Sequence, residues 1–294
     1  MPRNPPPIPR RDMPPTYTKS PTITQISSFI QSIFPRRQGD THFHYHTPRS
    51  TSFNSQATTV SRIVLSITPT PGFYVALTST QANLVFLHRP WNLYHRRVPR
   101  GTTVLSSHKG FDEVLTVGNN TALASRLGMD LSHSTTIQGY KGDSERSIGI
   151  IGPVKAISRM ALREHIKAEF GSLEGTFGFD EDAACSKELK VDVIAIMNAF
   201  HPAEVERVAA QALELGLISS ATDCRRVLYL TGAVRELGRG AALAKGMAVV
   251  CVGHRTCEEW GIRHLARALR EDWPSIRVDE ILEDENASAD PSGE

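Results

Sequence analysis

Ile23, Ile26, Ile30 and Ile33 recur at the spacing of one helical face and stop at Pro35, which predicts a short amphipathic helix and a folded chain beginning near residue 22. Residues 36–59 lose that period and read as a polar loop. Residues 62–68 (RIVLSIT) are a β-branched apolar run of strand length, broken by Pro69 and Pro71, and residues 75–81 follow as a helix. Residues 84–87 and 102–105 are further buried strands, and 121–127 a helix. A glycine-rich bridge at 139–143 leads to a strand at 147–151 and a helix at 154–170. The alternation then restarts, with strands at 191–197, 227–230 and 248–252 and helices at 202–215, 240–245 and 261–271. Strands alternating with helices define an α/β class.

The two runs match locally. Val104-Leu-Ser-Ser-His108-Lys-Gly-Phe-Asp112 and Val250-Cys-Val-Gly-His254-Arg-Thr-Cys-Glu258 each read strand, His, three residues, carboxylate. A similar apolar seam follows each, Leu123, Ala124 and Leu127 against Leu265, Ala266 and Leu269. Such self-similarity implies one supersecondary unit used twice, as two related lobes. The expected organisation is a tail over 1–21, a first lobe over 22–135, a bridging segment over 136–190, a second lobe over 191–285 and an acidic tail over 286–294. Seven prolines up to Pro15 keep the head from forming a helix, and both tails are expected to be disordered.

Charge narrows the functions. The chain of 294 residues carries 33 Lys and Arg against 31 Asp and Glu, a net +2 that argues against direct nucleic-acid binding. No apolar run reaches the ~18 residues of a membrane span. Four cysteines without a C-x-x-C pair point to buried thiols in a reducing compartment and no disulfides, so the cytoplasm is the default, with a mitochondrial or nuclear address as alternatives. The sequon at Asn119 is then chance. Gly139–Asp143 and the Gly238-Arg-Gly240 stretch lack P-loop spacing, and Ser106 and Ser107 lack the glycines of a nucleophile elbow.

The residue types that carry chemistry sit where strands end. In open α/β sheets ligands bind beyond the carboxyl ends of the strands, and His88, His108 and His254 all stand there. His254 and Glu258 lie four apart at a helix start, so one face can offer a nitrogen and an oxygen to one cation; His108 and Asp112 repeat the arrangement. A single such pair is common as a solvated ion pair, but its recurrence after two strands makes it a metal candidate. Imidazole and carboxylate donors suit zinc, manganese or iron. His42, His44 and His46 alternate and would share a face of a strand, although a polar loop with incidental histidines is the simpler reading.

Four ordered motifs also resemble the "Ngg one interacting factor three" family, whose bacterial members are known as GTP cyclohydrolase 1 type 2 homologues. They are Phe86-Leu-His88-Arg89-Pro90 for a His-His-Pro motif, His108 to Asp112 for His-Thr-x-x-Asp, Leu230-Thr231-Gly232 for Thr-Gly-Glu, and Gly253 to Glu258 for Gly-His-x-x-x-Glu, within a match over about residues 22–283. The resemblance implies duplicated three-layer α/β lobes with mixed sheets facing a central metal crevice. It also implies one or two divalent metal ions per chain and a ring-like homo-oligomer. The implied ligands are His88, Asp112, His254 and Glu258, with His108 beside them as a catalytic proton carrier. Three departures stand out. Arg89 replaces the second adjacent His, Ala233 replaces the Glu after Thr-Gly, and His42-Phe-His44-Tyr-His46 replaces a Trp-Asp-Asn near the start. A guanidinium has no lone pair for a metal, so Arg89 instead suits an anion.

Two functions follow. As an enzyme, the protein would be a metal-dependent hydrolase of GTP or another phosphate-bearing nucleotide, with Arg89 and Lys141 holding phosphates. As a non-enzyme, it would keep a degenerate metal site and act through a protein partner of the transcription-coactivator type, as the family's name suggests.

Overall fold

A computed structural model describes residues 20–179 and 189–284. The expected proline-rich and acidic tails, and Cys185, lie outside these residues apart from the last two positions of the head. In chain order the first elements are α1 (Ile23–Ile33), β1 (His44–His46), β2 (Arg62–Ser66), α2 (Pro71–Thr80), β3 (Leu84–Leu87), β4 (Thr103–Ser106), α3 (Lys109–Val114) and α4 (Thr121–Arg126). They continue as β5 (Thr135–Tyr140), β6 (Asp143–Ser158), α5 (Arg159–Phe170), β7 (Gly175–Phe177), β8 (Lys190–Met197) and α6 (Pro202–Glu214). The last are β9 (Val227–Thr231), α7 (Glu236–Ala244), β10 (Ala248–Cys251), α8 (His254–Asp272) and β11 (Arg277–Ile281).

The chain divides into two units. Among the described residues a terminal unit holds 20–111 and 261–284, and an inserted unit holds 112–179 and 189–260. This corrects the sequential lobes expected from the repeat. β11, assigned above to the second lobe, pairs in parallel with β2 over five residues from Arg277↔Arg62 to Ile281↔Ser66. The segment read as a bridge is sheet. β5 and β6 form a hairpin in which Lys141 (φ 48°) and Gly142 (φ 83°) take the paired positive φ of a type I′ turn.

The terminal unit's sheet has the order β1-β4-β3-β2-β11, and the inserted unit's sheet β5-β6-β8-β9-β10-β7. Both are mixed. The repeat survives as topology, because β1-β4-β3-β2 and β7-β10-β9-β8 are the same arrangement: three parallel strands with an antiparallel strand beside the third. In the inserted unit alternate residues of β8 enter two cores. Val193, Ala195 and Met197 pack with Val205, Val208 and Tyr229, whereas Ile194 and Ile196 pack with Ile166, Phe170 and Trp260. Helices thus cover both faces, which is why these strands read as unbroken apolar runs.

Local chemistry sets the element ends. Thr22 caps α1 in a reciprocal capping box with Gln25. The helix expected from residue 154 begins only at Arg159, capped by Ser158, because β6 stays paired with β8 through Ile157↔Val191 and Ser158↔Lys190. The polar loop expected over 36–59 contains the short strand β1, antiparallel to β4. Asn120 caps α4 and Asn119 is buried, so the sequon serves structure. Cys224, Cys251 and Cys257 are buried free thiols; burial pushes Cys251 up to about 12. Among the described residues no helix is long and apolar enough to cross a membrane.

Candidate metal centre

In the terminal unit β2, β3 and β4 run parallel, and the residues that follow them lie at one end of the sheet. His88 follows β3, and Ser107 and His108 follow β4, as the carboxyl-end rule requires. The chain then enters α3, which begins at Lys109 and carries Asp112 in its first turn. The ligand atoms of His88, His108 and Asp112 all lie within 4.8 Å of one another. With metal–donor bonds of ~2.0–2.2 Å, small side-chain adjustments bring such a group around one ion.

The imidazoles are well prepared. His88 is fully buried and its Nδ1 lies 3.2 Å from the carbonyl oxygen of Ser107. A carbonyl oxygen can only accept, so Nδ1–H donates in that bond and Nε2 keeps its lone pair, the orientation in which a histidine binds metal. The His88 ring stacks on His108 at 4.9 Å and 12° and touches Phe111 at 4.3 Å. The carbonyl of Asp112 accepts from Thr116 Oγ1 and from Asn198 Nδ2, which anchors the helix turn that carries the carboxylate.

Asp40 organises the same corner. Its Oδ1 accepts the backbone N–H of His108 at 3.0 Å and Lys109 at 2.9 Å, and its Oδ2 that of Gly110 at 3.1 Å. Burial pushes this carboxyl up, but the backbone donors of Lys109, Gly110, Thr41 and His108 outweigh it and hold the group below its ordinary range. Nothing in the motifs singled out Asp40. The available signal was its isolation, as the one acidic residue between Asp12 and Asp112.

The inserted unit has its own strand-end cleft, about 530 Å³, formed by residues after β8, β9 and β10 and by the β5–β6 turn. Lys141, Thr231, Gly232, Ala233 and His254 line it. His254 is mostly exposed, with Nε2 3.4 Å from Oε1 of the buried Glu258. Gly253 N–H donates to the carbonyl of Gly232, and a Cβ on Gly232 would meet His254 Cα at 3.8 Å. The Thr-Gly and Gly-His motifs therefore meet in one wall. Burial pushes up the Cys257 thiol, reinforced by Glu258 and Asp112, which disfavours the thiolate form.

The sequence matches the Duf34/NIF3 (NGG1p interacting factor 3) family over residues 89–286. The chain belongs to this family. Solved structures agree on the fold. The chain is similar to a protein ybgI of unknown function (17% identity, TM-score 0.59, covering 88% of this chain and 97% of that one). It is similar to the Staphylococcus aureus hypothetical protein SA1388 (14%, 0.60, 91% and 99%) and to a Bacillus cereus protein related to NIF3 (13%, 0.57, 91% and 98%). No curated protein matches the chain.

For this NIF3-family chain, the structure brings together His88, Asp112 and also His108, which the resemblance had kept outside the ligand set. It joins His254 to Glu258 as a second donor pair. Arg89 is half-buried directly after His88, its N–H donating to the carbonyl of Ile67 at 2.7 Å. Lys141 and Ala233 line the inserted unit's cleft, so the missing carboxylate of the Thr-Gly motif is replaced there by a methyl group.

Proposed function

We propose that the protein binds a divalent metal ion through His88, His108 and Asp112 and hydrolyses a phosphate-bearing nucleotide of the GTP type. The observation that supports this reading most is the three-donor group, whose buried imidazole has its tautomer set by Ser107. Two nitrogens and one oxygen suit zinc, manganese or iron, and such an ion supplies Lewis acidity for attack by water. His254 and Glu258 are a second donor pair, consistent with one or two ions per chain. Arg89 and Lys141 provide the cations for phosphate groups, Lys141 from a turn that opens on the cleft.

Elemental analysis of purified protein tests the site. The expected result is at least one equivalent of metal, lost in His88→Ala, together with chelator-sensitive consumption of GTP. Absence of metal after saturating supply would overturn the reading. The second reading, a non-catalytic interaction protein, is favoured by Ala233, which puts a methyl group in the cleft wall where the Thr-Gly motif carries a carboxylate. Metal bound without turnover of any phosphate-bearing nucleotide would select it.

A further inference from the structure

The near-neutral charge of the whole chain conceals a segregation. From Thr41 to Phe111 there is no Asp or Glu, while seven Lys and Arg occur. Three of them, Arg96, Arg97 and Arg100, are exposed in the β3–β4 connection. The same connection exposes Trp91 at 57% and Tyr94 at 54%, among the few large apolar side chains left open to solvent.

These rings are held in place. Between them Leu93 is buried, and Val98 is buried beyond the short 3-10 turn His95–Arg97. Tyr94 N–H donates to Tyr74 Oη at 2.8 Å, and the Arg97 guanidinium lies 4.1 Å over the Tyr74 ring. Leu93 N–H closes a turn on the Pro90 carbonyl at 2.9 Å. His95 stacks on Tyr45 of the edge strand β1 at 6.0 Å, so strand and connection share one face. An ordered segment that buries its small anchors and exposes its aromatics is built to offer them to a partner.

We propose that this face binds single-stranded nucleic acid. Flat rings take unpaired bases by stacking, and the arginines that follow them in the same connection neutralise the phosphates, a combination that neither a protein groove nor a lipid surface requires. Trp91 lies 4.8 Å from the His108 ring, so a strand on this face runs up to the terminal unit's histidines. The inference does not rest on metal binding or hydrolysis.

The test is fluorescence anisotropy with a labelled single-stranded RNA of about 12 nucleotides, in chelator so that the metal reading plays no part. Micromolar binding is expected, with log K falling against log salt at a slope of about −2, as three phosphate contacts give. Trp91→Ala and Tyr94→Ala should each weaken binding by about 5- to 100-fold with an unchanged circular dichroism spectrum. The Arg96→Ala, Arg100→Ala double variant should flatten the slope by about 1.4. No binding would overturn the proposal. So would equal affinity for duplex or for heparin, or indifference to both aromatic variants, since charge alone would then explain the interaction.

Discussion

Asp40 spans 68 residues of sequence to cap the backbone at His108, Lys109 and Gly110. A carboxylate accepting N–H groups at the start of a helix is stabilising by roughly 0.5–2 kcal/mol relative to alanine. Asp40→Ala should therefore lower unfolding stability by about 1 kcal/mol in urea and loosen metal binding, because it frees the turn that aims His108. Asp40→Asn, which keeps an acceptor oxygen, should recover part of both. Unchanged metal affinity in the alanine variant would show that the rings, stacked on each other and on Phe111, hold their own geometry.

At the scale of elements, α5 begins with a buried cation. Arg159 donates from Nη1 to the carbonyl of Gly178 at 2.7 Å and from Nη2 to those of Arg225 and Gly246 at 2.5 and 2.8 Å. One planar fork thereby ties the segment after β7 to the turns before β9 and β10. Lysine has a single ammonium and cannot reproduce a fork, so Arg159→Lys leaves part-buried carbonyls without their donor. A loss of about 2 kcal/mol is expected in urea unfolding, with the midpoint lowered and the m value kept. A variant as stable as the parent would mean that these carbonyls find other donors.

For the molecule as a whole, the last described elements return to the unit that holds the first ones. β11 completes the terminal sheet, and Trp273, Ile276 and Val278 are buried on the way. Removing residues 273–294 should cost the terminal unit roughly 5 kcal/mol, from three apolar side chains at about 1.5–3 kcal/mol each. It also opens the β2 edge to aggregation. Hydrogen exchange should then show protection lost in β2, β3 and β4 while β8, β9 and β10 keep theirs. Equal loss across both sheets would show that the two units unfold as one.

Most strands and helices were legible locally. Runs such as residues 63–65 and 227–230 are buried on both faces and must be apolar throughout, and the isoleucines of α1 must repeat at helical spacing to reach one core. The placement of His88 and His108 beyond their strands followed from the same patterns and from the repeat. Tertiary structure alone decided three things. It returned β11 to β2, because strand pairing is made by backbone groups that carry no sequence signature of their partner. It extended β6 to Ser158 against the helical period of residues 154–158, because β8 offers hydrogen bonds there. It brought Asp40 to the start of α3, because a carboxylate in a loop reveals only in three dimensions which orphan N–H groups it will meet.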